Sequence, residues 1–175
     1  MEKRYNISII GAGTWGMALA RSLAVCGNSV IVWSALPEEI DSLNKTRKQV
    51  NLPYMDIPDS IVFTKDAKEA CTGKDILVFA VPSTFVRSTA KSLASYIPEG
   101  QIIVDVAKGI EAKTHTFLSE VILSEIPGVS VVVLSGPTHA SLVCPMEKPT
   151  QYYLHKDGAN LSPSGRNSPS SSLPL

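Results

Sequence analysis

NISIIGAGTWGMALARSLAVCGNSVIVW, Asn6 to Trp33, carries the reading of the fold. Asn6–Ile10 is a short β-branched run that ends at Gly11, the pattern of a buried strand in a parallel sheet. From Trp15 to Cys26, the residues Leu19, Leu23 and Cys26 recur at helical spacing, and Gly27-Asn28 supplies a stop. Ser29–Trp33 (SVIVW) is again rich in β-branched residues. Strand, helix and strand within about thirty residues is the length of one βαβ unit. Between the first strand and the helix stand Gly11, Gly13 and Gly16, spaced G-x-G-x-x-G.

The alternation continues down the chain. Pro37 opens a short helical segment carrying Ile40 and Leu43, within a stretch reaching Asn51, and a Pro- and Asn-rich loop follows through Pro58. Ile61–Thr64, Asp75–Val81 and Gln101–Val106 read as strands, with helical segments Lys65–Cys71 and Ser83–Tyr96 between them. Thr116–Ile126 groups Phe117, Val121 and Ile122 on a helix, and Val129–Leu134 is a sixth apolar strand. Six strands with helical crossovers predict an α/β fold, a Rossmann-type doubly wound and mainly parallel sheet with helices on both faces, over residues 1–142. Residues 143–175 form a divergent Ser/Pro-rich tail that reads as disordered, most plainly in Leu161–Leu175.

Composition narrows the function classes. The chain has 175 residues, of which 44% are hydrophobic, enough for one packed core. Sixteen basic and sixteen acidic residues cancel, so no broad positive field is available for nucleic acid or an anionic membrane, and anion recognition has to be local. Cys26, Cys71 and Cys144 are odd in number and lack CxxC spacing, which fits a reducing compartment and gives no zinc pattern. The N-terminal apolar run is too short to span a bilayer and leads into a glycine-rich turn, not a cleavage region, so the expected location is cytoplasmic and no metal is expected.

The glycine spacing has a chemical reason. Gly11 permits the tight turn, Gly13 lets backbone approach a pyrophosphate, and Gly16 lets the helix pack close to the sheet. The phosphate charge then meets free N–H groups and the positive end of the helix dipole. The motif therefore points to a dinucleotide, NAD or NADP. The adenosine ribose is ordinarily read at the end of the second strand, by an acid for NAD or an arginine for NADP. Here Trp33-Ser34-Ala35-Leu36 offers neither, so Ser34 is the expected ribose contact and the choice of cofactor stays open.

Ligands of open α/β sheets lie beyond the carboxyl ends of the strands, which directs attention to three further loops. In Val81-Pro82-Ser83, Pro82 stops a strand beside the cofactor path, and Ser83 serves either as a helix cap or as a contact on the nicotinamide side. In Ala107-Lys108-Gly109-Ile110-Glu111, Lys108 places an ammonium at the mouth of the site, able to pair with phosphate or polarise a carbonyl. In Ser135-Gly136-Pro137-Thr138-His139-Ala140, Thr138 offers a hydroxyl on a rigid turn, while a lone histidine such as His139 is more often a packing or hydrogen-bonding residue.

GAGTWGMALA, the NLPYMDIPDSI stretch, VPS, KGIE and LSGPTHA occur in one order and at one set of spacings. The series resembles NAD(P)-dependent glycerol-3-phosphate dehydrogenase, over about four-fifths of the chain and only that enzyme's cofactor half. The resemblance implies reversible hydride transfer between the nicotinamide and carbon two of dihydroxyacetone phosphate, giving sn-glycerol 3-phosphate for phospholipid synthesis, with a homodimer possible for the intact family. It also implies that Thr14 and Trp15 line the pyrophosphate and nicotinamide side and that Lys108 touches both cofactor and substrate. Gly136 and Thr138 would contact substrate, with Ala140 near the cofactor. Relatives often carry Arg or His near Ala35, whose absence here removes the usual basis for an NADP preference. The family's helical domain, with its general-acid lysine and phosphate clamp, has no counterpart after Ala140. The expectation is therefore a truncated or frameshifted product nearly inactive alone, since losing an acid–base group costs about 100- to 10,000-fold in rate. Two other readings compete: a β-hydroxyacid-type dehydrogenase, disfavoured by KGIE and SGPTHA, and a non-catalytic dinucleotide-binding module.

Overall fold

The computed structural model describes residues 4–135. Six strands, β1 (Asn6–Ile10), β2 (Ser29–Trp33), β3 (Val62–Thr64), β4 (Ile76–Phe79), β5 (Ile102–Asp105) and β6 (Ser130–Val133), alternate with helices α1 (Thr14–Val25), α2 (Pro37–Thr46), α3 (Ala67–Cys71), α4 (Val86–Leu93) and α5 (Leu118–Glu125). All five strand pairings are parallel, in the order β3-β2-β1-β4-β5-β6. The expected doubly wound α/β architecture is present. The proposed boundary at residue 142 and the tail 143–175 lie outside the described residues.

Because a strand points successive side chains to opposite faces, each run of β-branched residues feeds two cores. Ile7, Ile9, Val30, Val32, Phe63, Val78 and Val104 pack with Met17, Ala18 and Ala20 of α1 and with Ile40 and Leu43 of α2. On the other face Ile10, Leu77, Phe79 and Ile103 meet Ala70 and Cys71 of α3, Val86, Ala90 and Leu93 of α4, and Leu118, Val121 and Ile122 of α5. The burial of Val86, Thr89, Ala90 and Leu93 follows the i, i+3, i+4, i+7 stripe of an amphipathic helix.

Local signals fix the ends. Gly27, at φ 84°, donates its N–H to the Ala24 carbonyl and stops α1 where the sequence placed the stop. Asp66 caps α3 by accepting from the N–H groups of Lys68 and Glu69. The segment after Pro37 leaves the helix at Arg47, which takes a left-handed φ of 48°. From there its guanidinium donates to the carbonyls of Pro58 and Ile61 and lies 5.1 Å from the Phe63 ring centroid. Those tertiary bonds, absent from any local pattern, accompany the end of the short helix expected after Pro37. The Ser83–Tyr96 segment is one helical passage with a 3₁₀ turn at each end, Ser83–Phe85 and Ala94–Tyr96.

Candidate functional site

The sheet order reverses direction between β1 and β4, and the crevice opens there. Beyond the strand ends lies a cleft of about 490 Å³, lined by Gly13, Thr14 and Trp15 after β1, Ala80 to Ser83 after β4, and Val106 to Lys108 after β5. Three loops distant in sequence therefore meet on one cavity. Of the residues singled out from sequence, Gly13, Thr14, Trp15, Pro82, Ser83 and Lys108 line it.

The three glycines do different things. Gly11 has φ 119°, and a Cβ there would lie 2.7 Å from the Ala80 carbonyl oxygen, so backbone shape and contact with the loop after β4 both demand glycine. A Cβ on Gly16 would lie 2.1 Å from the Gly11 carbonyl oxygen and 3.3 Å from the Ala80 Cβ, which is the close seating of α1 on the turn. Gly13 differs. Its φ of −66° and ψ of 177° suit any residue, and a Cβ there would have no atom within 4 Å. Nothing inside the described protein needs a glycine at this position, and the space its missing side chain leaves lies in the cleft.

That space faces the start of α1. The helix has no side-chain cap and no acidic residue in its first turn, while the Gly13 carbonyl accepts the Met17 N–H at 2.9 Å. The first N–H groups of a helix have no partner within it, so an uncapped start beside a bare glycine has the chemistry to receive an anion. Asn51 steadies the turn by donating Nδ2 to Thr14 Oγ1 at 2.9 Å, and Arg21 of α1 donates to the Asp56 carbonyl at 3.0 Å. The Asn-rich loop is thus packed against the glycine-rich turn, a contact that sequence reading missed.

Lys108 sits on an exposed loop with a rigid base. Asp105, only 2% exposed at the end of β5, accepts the Ala107 N–H on Oδ1 at 3.0 Å, turning the chain toward Lys108. Burial pushes the Asp105 carboxyl up to about 6, and the bond from Ala107 opposes that rise. Beyond Lys108, Gly109 has φ 103°, Ile110 bridges to Phe117, and the Glu111 N–H donates to the Thr116 carbonyl at 2.9 Å. Glu111 accepts two bonds from Arg87 of α4 and a third from Thr114 Oγ1 at 2.6 Å. Hydrogen bonds from Arg87 and Thr114 hold the Glu111 carboxyl down to about 2.

Ser83 makes no capping bond: it opens a 3₁₀ turn whose cap, Pro82, carries none, and it faces the cleft. Ser34 lies at the end of β2, beside the turn, because Gly11 N–H donates to the Trp33 carbonyl at 2.8 Å. Its hydroxyl donates to Glu39 Oε2 at 2.6 Å and accepts from the Leu36 N–H at 3.1 Å. Sequence reading missed Glu39 because it enters from the first turn of α2, outside the strand-end tetrapeptide. Gly136, Thr138, His139 and Ala140 lie outside the described residues. Among the described residues no cluster of His, Cys, Asp or Glu suits a metal ion, and no helix is long and apolar enough to cross a membrane.

The family model for the NAD-dependent glycerol-3-phosphate dehydrogenase N-terminus matches residues 6–160. The chain belongs to that family. Glycerol-3-phosphate dehydrogenase [NAD(P)+] 2 of Lactobacillus delbrueckii subsp. bulgaricus is 59% identical over 144 residues, covering 79% of this chain and 43% of the relative. The Agathobacter rectalis glycerol-3-phosphate dehydrogenase [NAD(P)+] is 50% identical over 139 residues, covering 79% and 41%. Among solved structures, glycerol-3-phosphate dehydrogenase from Coxiella burnetii superposes with a TM-score of 0.76 at 29% identity, over 81% of this chain and 44% of its own. The chain thus spans less than half the length of the curated glycerol-3-phosphate dehydrogenases it matches, and the part they share is the dinucleotide-binding domain of the family.

Proposed function

We propose that this domain holds NAD or NADP across the cleft and is the cofactor half of a glycerol-3-phosphate dehydrogenase, an NAD(P)-dependent oxidoreductase acting on a CH–OH group. Gly13 carries the reading. A glycine with ordinary backbone angles, open space where its side chain would be, and an uncapped helix behind it is explained by a ligand and by no contact within the described protein. In this reading the amides at the start of α1 hold the pyrophosphate, Gly11 and Gly16 shape the turn, and Thr14, Trp15 and Pro82 line the path toward the nicotinamide end. Ser34 belongs to the ribose end.

Bound NAD(P) would supply or accept the hydride of the reaction. The substrate pair proposed is dihydroxyacetone phosphate and sn-glycerol 3-phosphate, which places the reaction in glycerophospholipid precursor synthesis. Lys108 is the proposed catalytic residue of this half: it lines the cleft, and its ammonium would contact cofactor and substrate and stabilise negative charge growing on the carbonyl oxygen. Gly136 and Thr138 are proposed for the substrate and Ala140 for the cofactor. Complete turnover is proposed only together with a substrate domain that supplies the general acid, and binding without turnover is the role proposed for these residues alone. The location proposed is the cytoplasm.

Titration of the full chain with NADH, followed by nicotinamide fluorescence, tests the reading. Saturable binding that Gly13→Val weakens at least about a hundredfold, with the melting temperature within a few degrees of wild type, supports it. Absence of binding to folded protein overturns it.

A further inference from the structure

The end of β2 holds an acid that belongs to the next helix. Glu39 stands in the first turn of α2, at the positive end of the helix dipole. Its Oε2 accepts the Ser34 hydroxyl at 2.6 Å, which fixes the carboxylate against the residue that follows β2. Since Ile10 and Trp33 are paired and Gly11 N–H bonds the Trp33 carbonyl at 2.8 Å, this carboxylate lies beside the glycine-rich turn, on its β2 side. A dinucleotide with its pyrophosphate on that turn extends its adenosine ribose over the end of β2.

Ser34 is poorly placed to choose between cofactors. Its one proton is committed to Glu39, it also accepts from Leu36 N–H, and the residue is 7% exposed. The carboxylate has acceptor capacity beyond that single bond. The surrounding charges point the same way. Glu38 adjoins Glu39 in the first turn. Lys65 is engaged by Asp41 at 2.5 Å, and the Arg47 guanidinium is turned to Pro58, Ile61 and Asp59. Lys45 lies in the last turn of α2, at the helix's opposite end.

We propose that Glu39 is the specificity-determining residue of this site: it accepts the 2′-hydroxyl of the NAD ribose and repels the 2′-phosphate of NADP. The proposal rests on the dinucleotide reading above and assigns its cofactor. A phosphate monoester is close to doubly negative at neutral pH, and setting it beside an acceptor-only carboxylate opposes like charges at close range.

The test is titration of the full chain with NADH and with NADPH at one ionic strength, on the wild type, Glu39→Gln and Glu39→Lys. The wild type should bind NADH at least about tenfold more tightly, Glu39→Gln should narrow the ratio chiefly by tightening NADPH, and Glu39→Lys should reverse it. A reduced 2′-deoxy-NAD analogue gives a reading on unaltered protein, with affinity expected to fall several-fold below NADH. Equal affinity for NADH and NADPH, an unchanged ratio in folded Glu39→Gln, or full affinity for the 2′-deoxy analogue overturns the assignment while leaving the dinucleotide site standing. Failure of both dinucleotides to bind folded wild-type protein overturns the site itself and the assignment with it.

Discussion

Arg87 and Glu111 meet in a two-bond fork, Nε to Oε1 at 2.6 Å and Nη2 to Oε2 at 2.8 Å, joining α4 to the loop that carries Lys108. The same guanidinium donates through Nη1 to Glu125 of α5 at 2.5 Å. One side chain thus ties two helices to the loop after β5. The planar fork of arginine suits this task and an ammonium does not. Arg87→Lys is therefore expected to free the segment from Ile110 to Phe117, seen as faster amide hydrogen exchange there with β1 to β5 still protected. Uniform protection in the variant would contradict this role.

The fork should also show in acid. Glu111 titrates near 2 in the folded protein, below its ordinary range. A carboxyl whose folded pKa is depressed adds stability that is fully present above its unfolded pKa and is lost as pH falls through the folded one. Wild-type protein should therefore melt higher than Glu111→Gln at neutral pH, with the gap closing between about pH 4.5 and 2. A gap independent of pH would remove the charge from the explanation.

Asp105 should behave in the opposite sense. Burial raises its folded value to about 6 from 3.8, so the folded state binds more protons between those limits. Stability contributed by the neutral form is present below about 4, is lost as pH rises through 6, and stays lost above it. The shift corresponds to about 3 kcal/mol at neutral pH. Asp105→Asn keeps an acceptor for Ala107 N–H without the charge, and should be more stable than wild type at pH 8 but not at pH 4. Chemical denaturation at the two pH values checks it.

Gly16→Ala tests the seating of α1. Its Cβ would fall 2.1 Å from the Gly11 carbonyl oxygen, a backbone atom that cannot rotate aside. Overpacking costs about 1–3 kcal/mol, and a clash with backbone sits at the upper end of that range, so the variant should melt markedly lower or fail to fold, even though alanine is ordinarily the better helix residue.

Much of this was legible in the sequence where the deciding information is local. The apolar run of β1 ends at Gly11, β2 repeats the β-branched pattern, α1 stops at Gly27, and the roles of Gly11 and Gly16 follow from spacing alone. The short helix after Pro37 was legible, but its end at Arg47 was not, because the Arg47 guanidinium is held by carbonyls 11 and 14 residues away. Nor was the tie of Arg87 to Glu111 and Glu125, which joins residues 24 and 38 positions apart. Asp105 gave a faint signal, a charge inside the apolar run Ile102–Val106. Glu39 gave none, because five residues of turn and helix return its carboxylate to Ser34.

The most direct measurement compares stability and NADH affinity in Gly13→Val. Open space and ordinary backbone angles at Gly13 predict a melting temperature within a few degrees of wild type, together with loss of at least about a hundredfold in affinity as the isopropyl group fills the proposed pyrophosphate seat. Wild-type affinity in a folded Gly13→Val protein would contradict the account, since an occupied seat could not then hold the diphosphate.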